Sequence, residues 1–221
     1  MKNSYSNIFP LSKKTLNKAI RLLTKKRLVA LPTETVYGLA GNAYSDVAVK
    51  KIFGLKGRPK LNPLIIHYYN LQKALDDVVV NNAFKKLYKK FCPGPITFIL
   101  KKKKNSKIQA LANAKLKTVA VRFPKHKILR TILKDINFPL AMPSANISSS
   151  ISPICAQDVF DEFKKKIKFI LDGGQSKIGI ESTVIDLTNS PKILRPGIII
   201  SSKIEEVLKL KIKKNFNKSK I

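Results

Sequence analysis

Short apolar runs alternate along this chain with segments in which apolar residues recur at every third or fourth position. That alternation is typical of an α/β fold, because each pattern buries one face of a strand or of a helix. Residues 184–187 and 192–195 are apolar runs close enough in sequence to form a hairpin. We therefore predict a single α/β domain with a twisted mixed sheet flanked by helices, rather than a wholly parallel sheet.

Periodicity and turn residues give the predicted elements. The strands are residues 28–31, 63–68, 96–100, 118–123, 139–142, 169–172, 184–187 and 192–195. The helices are residues 12–26, 45–53, 125–136, 156–166 and 203–210, with two short ones near 71–75 and 84–91. Ser12 is the predicted N-cap of the first helix.

Composition sets limits on partners and location. The chain has 44 Lys and Arg against 13 Asp and Glu in 221 residues, a formal net charge of +31, which favours polyanionic partners. A biased composition, rich in Lys and Ile and without Trp, is an alternative source of this charge. The sequence has no apolar signal core and no membrane span, so we expect a soluble cytoplasmic protein. We predict a catalytic domain over residues 1–200 and a short basic helix and tail over residues 201–221.

Residues 56–67, KGRPKLNPLIIH, place two cations ahead of an apolar run. Arg58 offers a planar donor fork that matches phosphate oxygens two at a time, and Lys56 adds a mobile point charge. The pair suits a polyphosphate better than a single carboxylate. On this stretch alone, two ordinary solvated loop cations are an equal alternative.

Other cations and neutral donors recur where predicted strands end, which is where α/β folds place ligand sites. They are Thr35, Thr118, Arg122, Ser144, Asn146, Ser182 and Arg195. Locally, Thr35 can equally cap a turn, and residues 148–150 are interpreted as a flexible serine-rich linker. Together these groups predict a cleft for an anionic, phosphate-bearing ligand.

Several common catalytic motifs do not occur in the sequence. The KGRP segment lacks the glycine spacing and the Ser or Thr of a phosphate-binding P-loop, and no glycine-rich dinucleotide fingerprint follows the first strand. His67 and His126 form no defensible triad with a nucleophile. Cys92 and Cys155 have no metal-ligand spacing. We therefore expect a nucleotide held by side chains, with neither covalent catalysis nor a protein-bound metal.

Seven motifs span about residues 28–197: LPTETVYGLAGNA, KGRPKLNPLIIH, PGPITFIL, TVAVRFPKH, PLAMPSANIS, ESTVIDL and ILRPG. They occur in the order found in the YrdC-like threonylcarbamoyl-AMP synthases. The chain resembles the short, single-domain form of that family. The resemblance implies an α/β fold with a basic concave cleft, and a reaction that converts L-threonine, bicarbonate and ATP into threonylcarbamoyl-adenylate and pyrophosphate. Other proteins would then transfer the threonylcarbamoyl group to adenosine beside the anticodon of tRNA.

The resemblance also implies roles for single residues. The family's Lys-x-Arg and Ser-x-Asn elements, which lie at the nucleotide, match Lys56, Arg58, Ser144 and Asn146. Its further ATP contacts match Asn62, Thr118, Ser152 and Arg195. Its threonine contacts match Thr35, His67, Arg122 and Ser182. Ser149 departs from the family pattern, which commonly has Gly at this position.

The implied chemistry needs no protein nucleophile. Once bicarbonate has carboxylated the amine of threonine, a carbamate oxygen can attack the α-phosphate of ATP. The protein then has to align the reactants and stabilise phosphate charge, and we expect Lys56 and Arg58 to provide that stabilisation. Mg²⁺ is expected on the triphosphate, although no protein carboxylate is identifiable as its ligand.

Two alternatives are compatible with parts of the sequence. The net charge of +31 also suits a non-catalytic module that binds double-stranded RNA or tRNA by its phosphates. Against it, the motifs mix hydroxyls, an amide and an imidazole with the cations, and stacking aromatics do not interleave with the basic runs. The second alternative is the carbamoyl-adenylate-forming domain of a hydrogenase-maturation protein, but the chain lacks the zinc-finger cysteines of such proteins.

Overall fold

A mixed sheet with helices packed against it organises residues 6–214, the part of the chain that the computed structural model describes. The strands are β1 (Ile8–Pro10), β2 (Val29–Leu31), β3 (Gly38–Asn42), β4 (Ile65–His67), β5 (Val78–Val79), β6 (Ile96–Lys102), β7 (Thr118–Arg122), β8 (Leu140–Ala141), β9 (Ile170–Asp172), β10 (Thr183–Asp186), β11 (Lys192–Arg195) and β12 (Lys213–Lys214). The helices are α1 (Lys13–Thr24), α2 (Asp46–Lys56), α3 (Leu71–Ala74), α4 (Asn82–Phe91), α5 (Lys127–Asp135), α6 (Ala156–Phe163) and α7 (Ser201–Leu208), and a 3₁₀ turn spans Lys164–Lys166.

The strand order confirms the predicted mixed sheet. It runs β1-β9-β2-β3-β8-β4-β7-β6-β10-β11-β12, and β5 pairs with the edge of β6. Parallel pairs such as β4–β7 and β6–β10 alternate with antiparallel pairs such as β6–β7. The predicted hairpin is present as the antiparallel pair β10–β11.

Apolar side chains leave the sheet on both faces. In β2, Val29 and Leu31 pack with α1 and α5, whereas Ala30 between them packs in the larger core on the opposite face. This follows from the period of two along a strand, which sends successive side chains to opposite faces. The helices therefore flank the sheet as predicted.

Local signals explain where α2 begins and ends. The Ser45 hydroxyl accepts a hydrogen bond from the Ala48 amide at 3.3 Å, and Gly57 ends the helix in the left-handed region with φ 59°. Glycine adopts that conformation without the steric cost of a Cβ atom. This turn directs residues 58–63 towards the end of β4.

Strands β1, β3, β5 and β12 were not predicted from the sequence. Strand β3 has the sequence GLAGN, in which neither alternation nor β-branched residues indicate a strand. A Cβ atom at Gly38 would lie 2.6 Å from Met142 Cγ, and one at Gly41 would lie 2.9 Å from Leu28 Cδ2. Small residues are thus required there by close packing on both faces of the sheet.

The C-terminal part of the described chain packs on the same core. Helix α7 buries Ile204 and Leu208, Ile212 is also buried, and β12 pairs with β11 in parallel. The helix begins and ends two residues before the predicted range of 203–210. Residues 215–221 of the predicted tail lie outside the described residues, and the division at residue 200 stays a prediction.

Within residues 6–214, the helices are all too short or too polar to cross a membrane.

A buried carboxylate joins two loops to the larger core. Asp77 is fully buried, and its Oδ2 accepts hydrogen bonds from the hydroxyls of Tyr44 at 2.5 Å and Tyr68 at 2.8 Å. Its Oδ1 accepts from the Ser106 hydroxyl at 2.6 Å and from the Lys107 amide at 3.1 Å. Four donors therefore depend on one side chain.

We expect Asp77→Ala to lower the free energy of unfolding by about 3 kcal/mol or more, because it leaves buried hydroxyl and amide donors without an acceptor. The neighbouring Asp76 is exposed, so Asp76→Ala is the matched control and should change stability by less than about 0.5 kcal/mol. Urea unfolding of both variants measures the difference. Equal stabilities would contradict a structural role for the Asp77 network.

Candidate active site

A continuous line of paired residues crosses five strands and carries charged and polar side chains. His67 in β4 pairs with Arg122 in β7, and Arg122 pairs with Thr97 in β6. Thr97 pairs with Val184 in β10, and Val184 pairs with Arg195 in β11. Directly paired residues share one face of a sheet. With strands about 4.8 Å apart, the line spans about 19 Å.

This line borders a cleft of about 570 Å³, a volume within the usual range for small-molecule sites. Eleven of the twelve site residues predicted from the sequence line it: Thr35, Lys56, Arg58, Asn62, His67, Arg122, Ser144, Asn146, Ser152, Ser182 and Arg195. The roles predicted for them stay predictions, but their placement in one cleft is a property of the fold.

Thr118 is the predicted site residue that does not line this cleft. Ala120 and Arg122 of the same strand face do line it. Thr118 pairs with Lys101 at the far end of β7, four residues or about 13 Å from Arg122. The shared face was predicted correctly, but the cleft ends before Thr118.

The side chain of Lys56 joins the end of α2 to the loop that follows β8. It is 1% exposed, and its Nζ donates to the carbonyl oxygen of Ser144 at 2.7 Å, to that of Asn146, and to Asn146 Oδ1 at 3.3 Å. Burial lowers the pKa of Lys56 to about 8, and the charge of Arg58 contributes to that lowering. Lys56 thus holds the Ser-x-Asn segment in place while it lines the cleft.

Arg58 is held by the backbone of its own loop. Its Nε donates to the Asn62 carbonyl and its Nη2 to the Pro63 carbonyl, both at 3.0 Å. Burial lowers its pKa from the ordinary value. Among the described residues its Nη1 has no hydrogen-bond partner, which leaves one edge of the guanidinium for a ligand.

Arg122 is paired inside the protein with Glu34. The two lie 2.7 Å apart at Arg122 Nη2 and Glu34 Oε1, and the same Nη2 donates to the Thr35 hydroxyl at 2.9 Å. Burial would raise the pKa of Glu34, but Arg122 and nearby backbone amides outweigh it and hold that pKa below its ordinary value. Glu34 therefore stays ionised and fixes the position of Arg122.

The imidazole of His67 is neutral. Burial, followed by the positive charge of Arg122, lowers its pKa to about 3. Its Nδ1 lies 3.2 Å from the Ile65 carbonyl oxygen. A neutral ring next to Arg122 can exchange a hydrogen bond with a ligand without adding a second charge.

Three buried polar atoms of the cleft residues have no partner within the described part of the chain. They are Asn62 Oδ1, Arg122 Nε and Ser148 Oγ. Buried polar groups in proteins are almost always hydrogen-bonded. An acceptor, a cationic N–H and a hydroxyl, all unsatisfied in one cleft, indicate a polar ligand with an anionic group.

The interpretation of residues 148–150 as a flexible linker is wrong. The Ser148 amide donates to the Lys56 carbonyl at 3.0 Å, Asn146 Nδ2 donates to the Ser150 carbonyl at 2.6 Å, and all three serines line the cleft. Ser149 has φ 77°, the conformation that glycine favours. This explains why a Gly would suit the position.

Sequence reasoning also missed Thr97, Ser148 and Glu181, all of which line the cleft. Thr97 lies in an apolar strand, and its hydroxyl lies 2.8 Å from that of Ser182. Glu181 is the acidic lining residue among those described, and it directly precedes Ser182. Its position next to the predicted site residue Ser182 is the sequence signal that could have identified Glu181 as a cleft residue.

The cleft does not form a metal site of its own. No group of three or more His, Cys, Asp or Glu side chains within residues 6–214 is arranged to hold an ion. Glu181 is the acidic side chain among the described residues that line the cleft.

Comparison with known proteins shows which proteins this chain resembles. The Sua5/YciO/YrdC family model, whose description reads "Telomere recombination", matches residues 21–197. Threonylcarbamoyl-AMP synthase of Pyrococcus abyssi is 45% identical over 193 residues, which are 86% of this chain and 56% of that protein. The synthase of Bacillus subtilis is 42% identical, over 86% of this chain and 55% of that protein. The chain thus spans about half the length of these curated relatives.

A solved structure of P. abyssi Sua5 complexed with L-threonine superposes with a TM-score of 0.90 at 40% identity, covering 94% of this chain and 62% of that one. The family model covers most of the chain, and the fold agrees with that of a solved member. The chain therefore belongs to the Sua5/YciO/YrdC family.

Proposed function

We propose that this chain is an L-threonylcarbamoyladenylate synthase, a nucleotidyltransferase that forms threonylcarbamoyl-AMP and pyrophosphate from L-threonine, bicarbonate and ATP. The names of the relatives support this activity over the non-catalytic RNA-binding module. Because the chain matches about half of their length, the activity of the whole relatives is a proposal for this chain.

The observation that carries the proposal is the line of paired residues with a separate cationic group at each end. Arg195 lies at one end, within the cleft that Lys56 and Arg58 also line. His67 lies at the other end, and the cation there is its direct partner Arg122, which also contacts Thr35. One end suits a triphosphate, and the other suits the carboxylate and hydroxyl of threonine.

At the threonine end, the unpartnered Nε of Arg122 would donate to the α-carboxylate, since its Nη2 is already occupied by Glu34 and Thr35. The P. abyssi protein bound to L-threonine supports an amino-acid site in this fold. Arg122 is 4% exposed, so a bound carboxylate would be well shielded and the charge-assisted bond strong.

At the nucleotide end, the free edge of Arg58, together with Lys56 and Arg195, would face the phosphates. In the proposed reaction the amine of threonine attacks bicarbonate and water leaves. A carbamate oxygen then attacks the α-phosphate, and the bond to pyrophosphate breaks. No protein atom needs to bond covalently, so fixed positive charge around the phosphates is the protein's main contribution.

The further partners follow from this chemistry. Mg²⁺ would enter bound to the triphosphate of ATP. We propose that the product serves other proteins that modify adenosine in tRNA, and that the reaction takes place in the cytoplasm. The basic surface of a chain with net charge +31 would favour contact with tRNA.

We expect Arg58→Ala to lower turnover by about one to two decades, because a hydrogen bond to a charged group contributes roughly 1.5–3 kcal/mol. Threonine-dependent release of pyrophosphate from ATP measures it. Lys60 is an exposed cation in the same loop, so Lys60→Ala should retain nearly full activity. Near-normal turnover of Arg58→Ala would contradict a role for Arg58 in stabilising the phosphates.

The pH dependence of ATP binding follows from Lys56, whose pKa burial lowers to about 8. Phosphate binds the charged ammonium better than the neutral amine, so ATP affinity should be highest well below pH 8 and decline as the pH rises through 8. Calorimetry should give about fivefold or greater weakening between pH 7.5 and pH 9.5. Adenosine, which has no phosphate, is the control ligand, and an equal change for both ligands would contradict a role for Lys56 at the phosphates.

The Thr35 hydroxyl orients Arg122, since it accepts from Nη2 at 2.9 Å and lies 2.8 Å from the Thr33 hydroxyl. We expect Thr35→Val to raise the KM for threonine about tenfold and to leave the KM for ATP nearly unchanged. Thr35→Ser keeps the hydroxyl and should restore threonine binding. Steady-state kinetics with each substrate varied separately tests this, and an unchanged threonine KM in Thr35→Val would refute it.

A further inference from the structure

Glu181 occupies a position in the cleft that the proposed reaction does not use. We propose that its carboxylate is an internal counterion that binds the phosphate-binding groups when ATP is absent and is exchanged for phosphate when ATP binds. Glu181 would then limit the affinity for ATP and for pyrophosphate. This inference rests on the proposed function for the identity of the ligand. The role of Glu181 as a counterion rests on its own contacts.

The first contact is with Arg195. Arg195 Nη1 forms an ion pair with Glu181 Oε2. The rest of the guanidinium is held by Ser182, whose carbonyl accepts from Nε at 3.1 Å and from Nη2 at 2.9 Å, and whose hydroxyl accepts from Nη2 at 3.1 Å. Ser182 therefore fixes the plane of Arg195 without Glu181, and the carboxylate occupies the one remaining corner.

The second contact is with Ser152. Its hydroxyl donates to the other carboxylate oxygen, Glu181 Oε1, at 3.2 Å. Ser152 and Arg195 are both among the residues that resemble ATP contacts. The two oxygens of Glu181 thus each bind one group of the predicted nucleotide site, in the way that two oxygens of a phosphate would.

The charge of Glu181 extends to the other cations of the cleft. Burial lowers the pKa of Lys56, Arg58 and Arg195, and the negative charge of Glu181 partly offsets that lowering at all three. The carboxylate therefore lies close enough to interact with every cation at the nucleotide end. A triphosphate that binds the same groups would therefore have to displace this negative charge.

These contacts distinguish an internal competitor from a supporting residue. A residue that supported Arg195 would be needed to set its orientation, but the three hydrogen bonds that Arg195 donates to Ser182 already do so. The side chains of Glu181 and Arg195 are 34% and 21% exposed, so water can replace the carboxylate when it moves away. Exchange with a more highly charged anion is therefore feasible.

The test compares Glu181→Gln with wild-type protein by calorimetric titration of ATP, pyrophosphate and adenosine. Gln keeps the size of the side chain and removes its charge. We expect the Kd for ATP and for pyrophosphate to fall about three- to tenfold, a range that allows for the partial exposure of the ion pair. The Kd for adenosine should stay within twofold, because adenosine has no phosphate group to compete with the Glu181 carboxylate.

Asp161→Asn is the matched control. Asp161 pairs with Lys164 at 3.4 Å on the surface, with side chains 54% and 67% exposed. The substitution raises the net charge by the same amount and also breaks an ion pair, so it separates a local effect from a general electrostatic one. We expect less than a twofold change in the Kd for either phosphate ligand.

An unchanged Kd in Glu181→Gln would show that the carboxylate does not compete with phosphate. A weaker Kd would show that it supports the site. Either result overturns the inference, as would an equal gain in Asp161→Asn. If ATP fails to bind but pyrophosphate binds more tightly to Glu181→Gln, the inference stands and the proposed function fails, and if neither anion binds, both fail.

Discussion

Repulsion among like charges is the constraint on which this cleft depends. Lys56, Arg58, Arg122 and Arg195 line one concave surface and are largely removed from water, which would be unfavourable for four isolated cations. The protein offsets this cost with internal acceptors for each of them. A chain with 13 acidic residues places two, Glu34 and Glu181, at these cations.

The acceptors differ in how firmly they hold. Glu34 is buried, accepts hydrogen bonds from backbone amides as well as from Arg122, and stays ionised, so it holds Arg122 firmly in place. Lys56 donates to two backbone carbonyls and to Asn146 Oδ1, whereas Arg58 is held by two backbone carbonyls. Glu181 is more exposed than Glu34, so its ion pair with Arg195 is less shielded from water.

The line from His67 to Arg195 also explains how distant motifs form one site. Its members lie between residues 67 and 195 of the sequence, yet each is the direct partner of the next in the sheet. Strand register, with an irregularity between Val184 and Ile185 in the β10–β11 pair, therefore sets their spacing. A shift of one residue in any strand would send that side chain to the opposite face and remove it from the cleft.

Many of the residues that line the cleft could be predicted because they are polar groups at the ends of apolar strands, where they stand out from their apolar neighbours. The missed residues lack that contrast. Thr97 is within an apolar strand, Ser148 is in a serine-rich segment that suggested a linker, and the small residues of β3 give no strand signal. In each case the decisive neighbour is far away in sequence, such as Ser182 for Thr97 or Met142 for Gly38.

The sequence by itself determined the α/β class, the mixed sheet with its β10–β11 hairpin, and the chemical types that line the cleft, since these depend on periodicity and on residue chemistry. Only the tertiary structure decided that the cleft ends before Thr118, that Lys56 binds the carbonyls of the Ser-x-Asn loop, and that Glu181 lies among the cations. The physical reason is that local pattern specifies which face a side chain occupies. Which atoms meet across that face depends on the register and packing of strands that are remote in the chain.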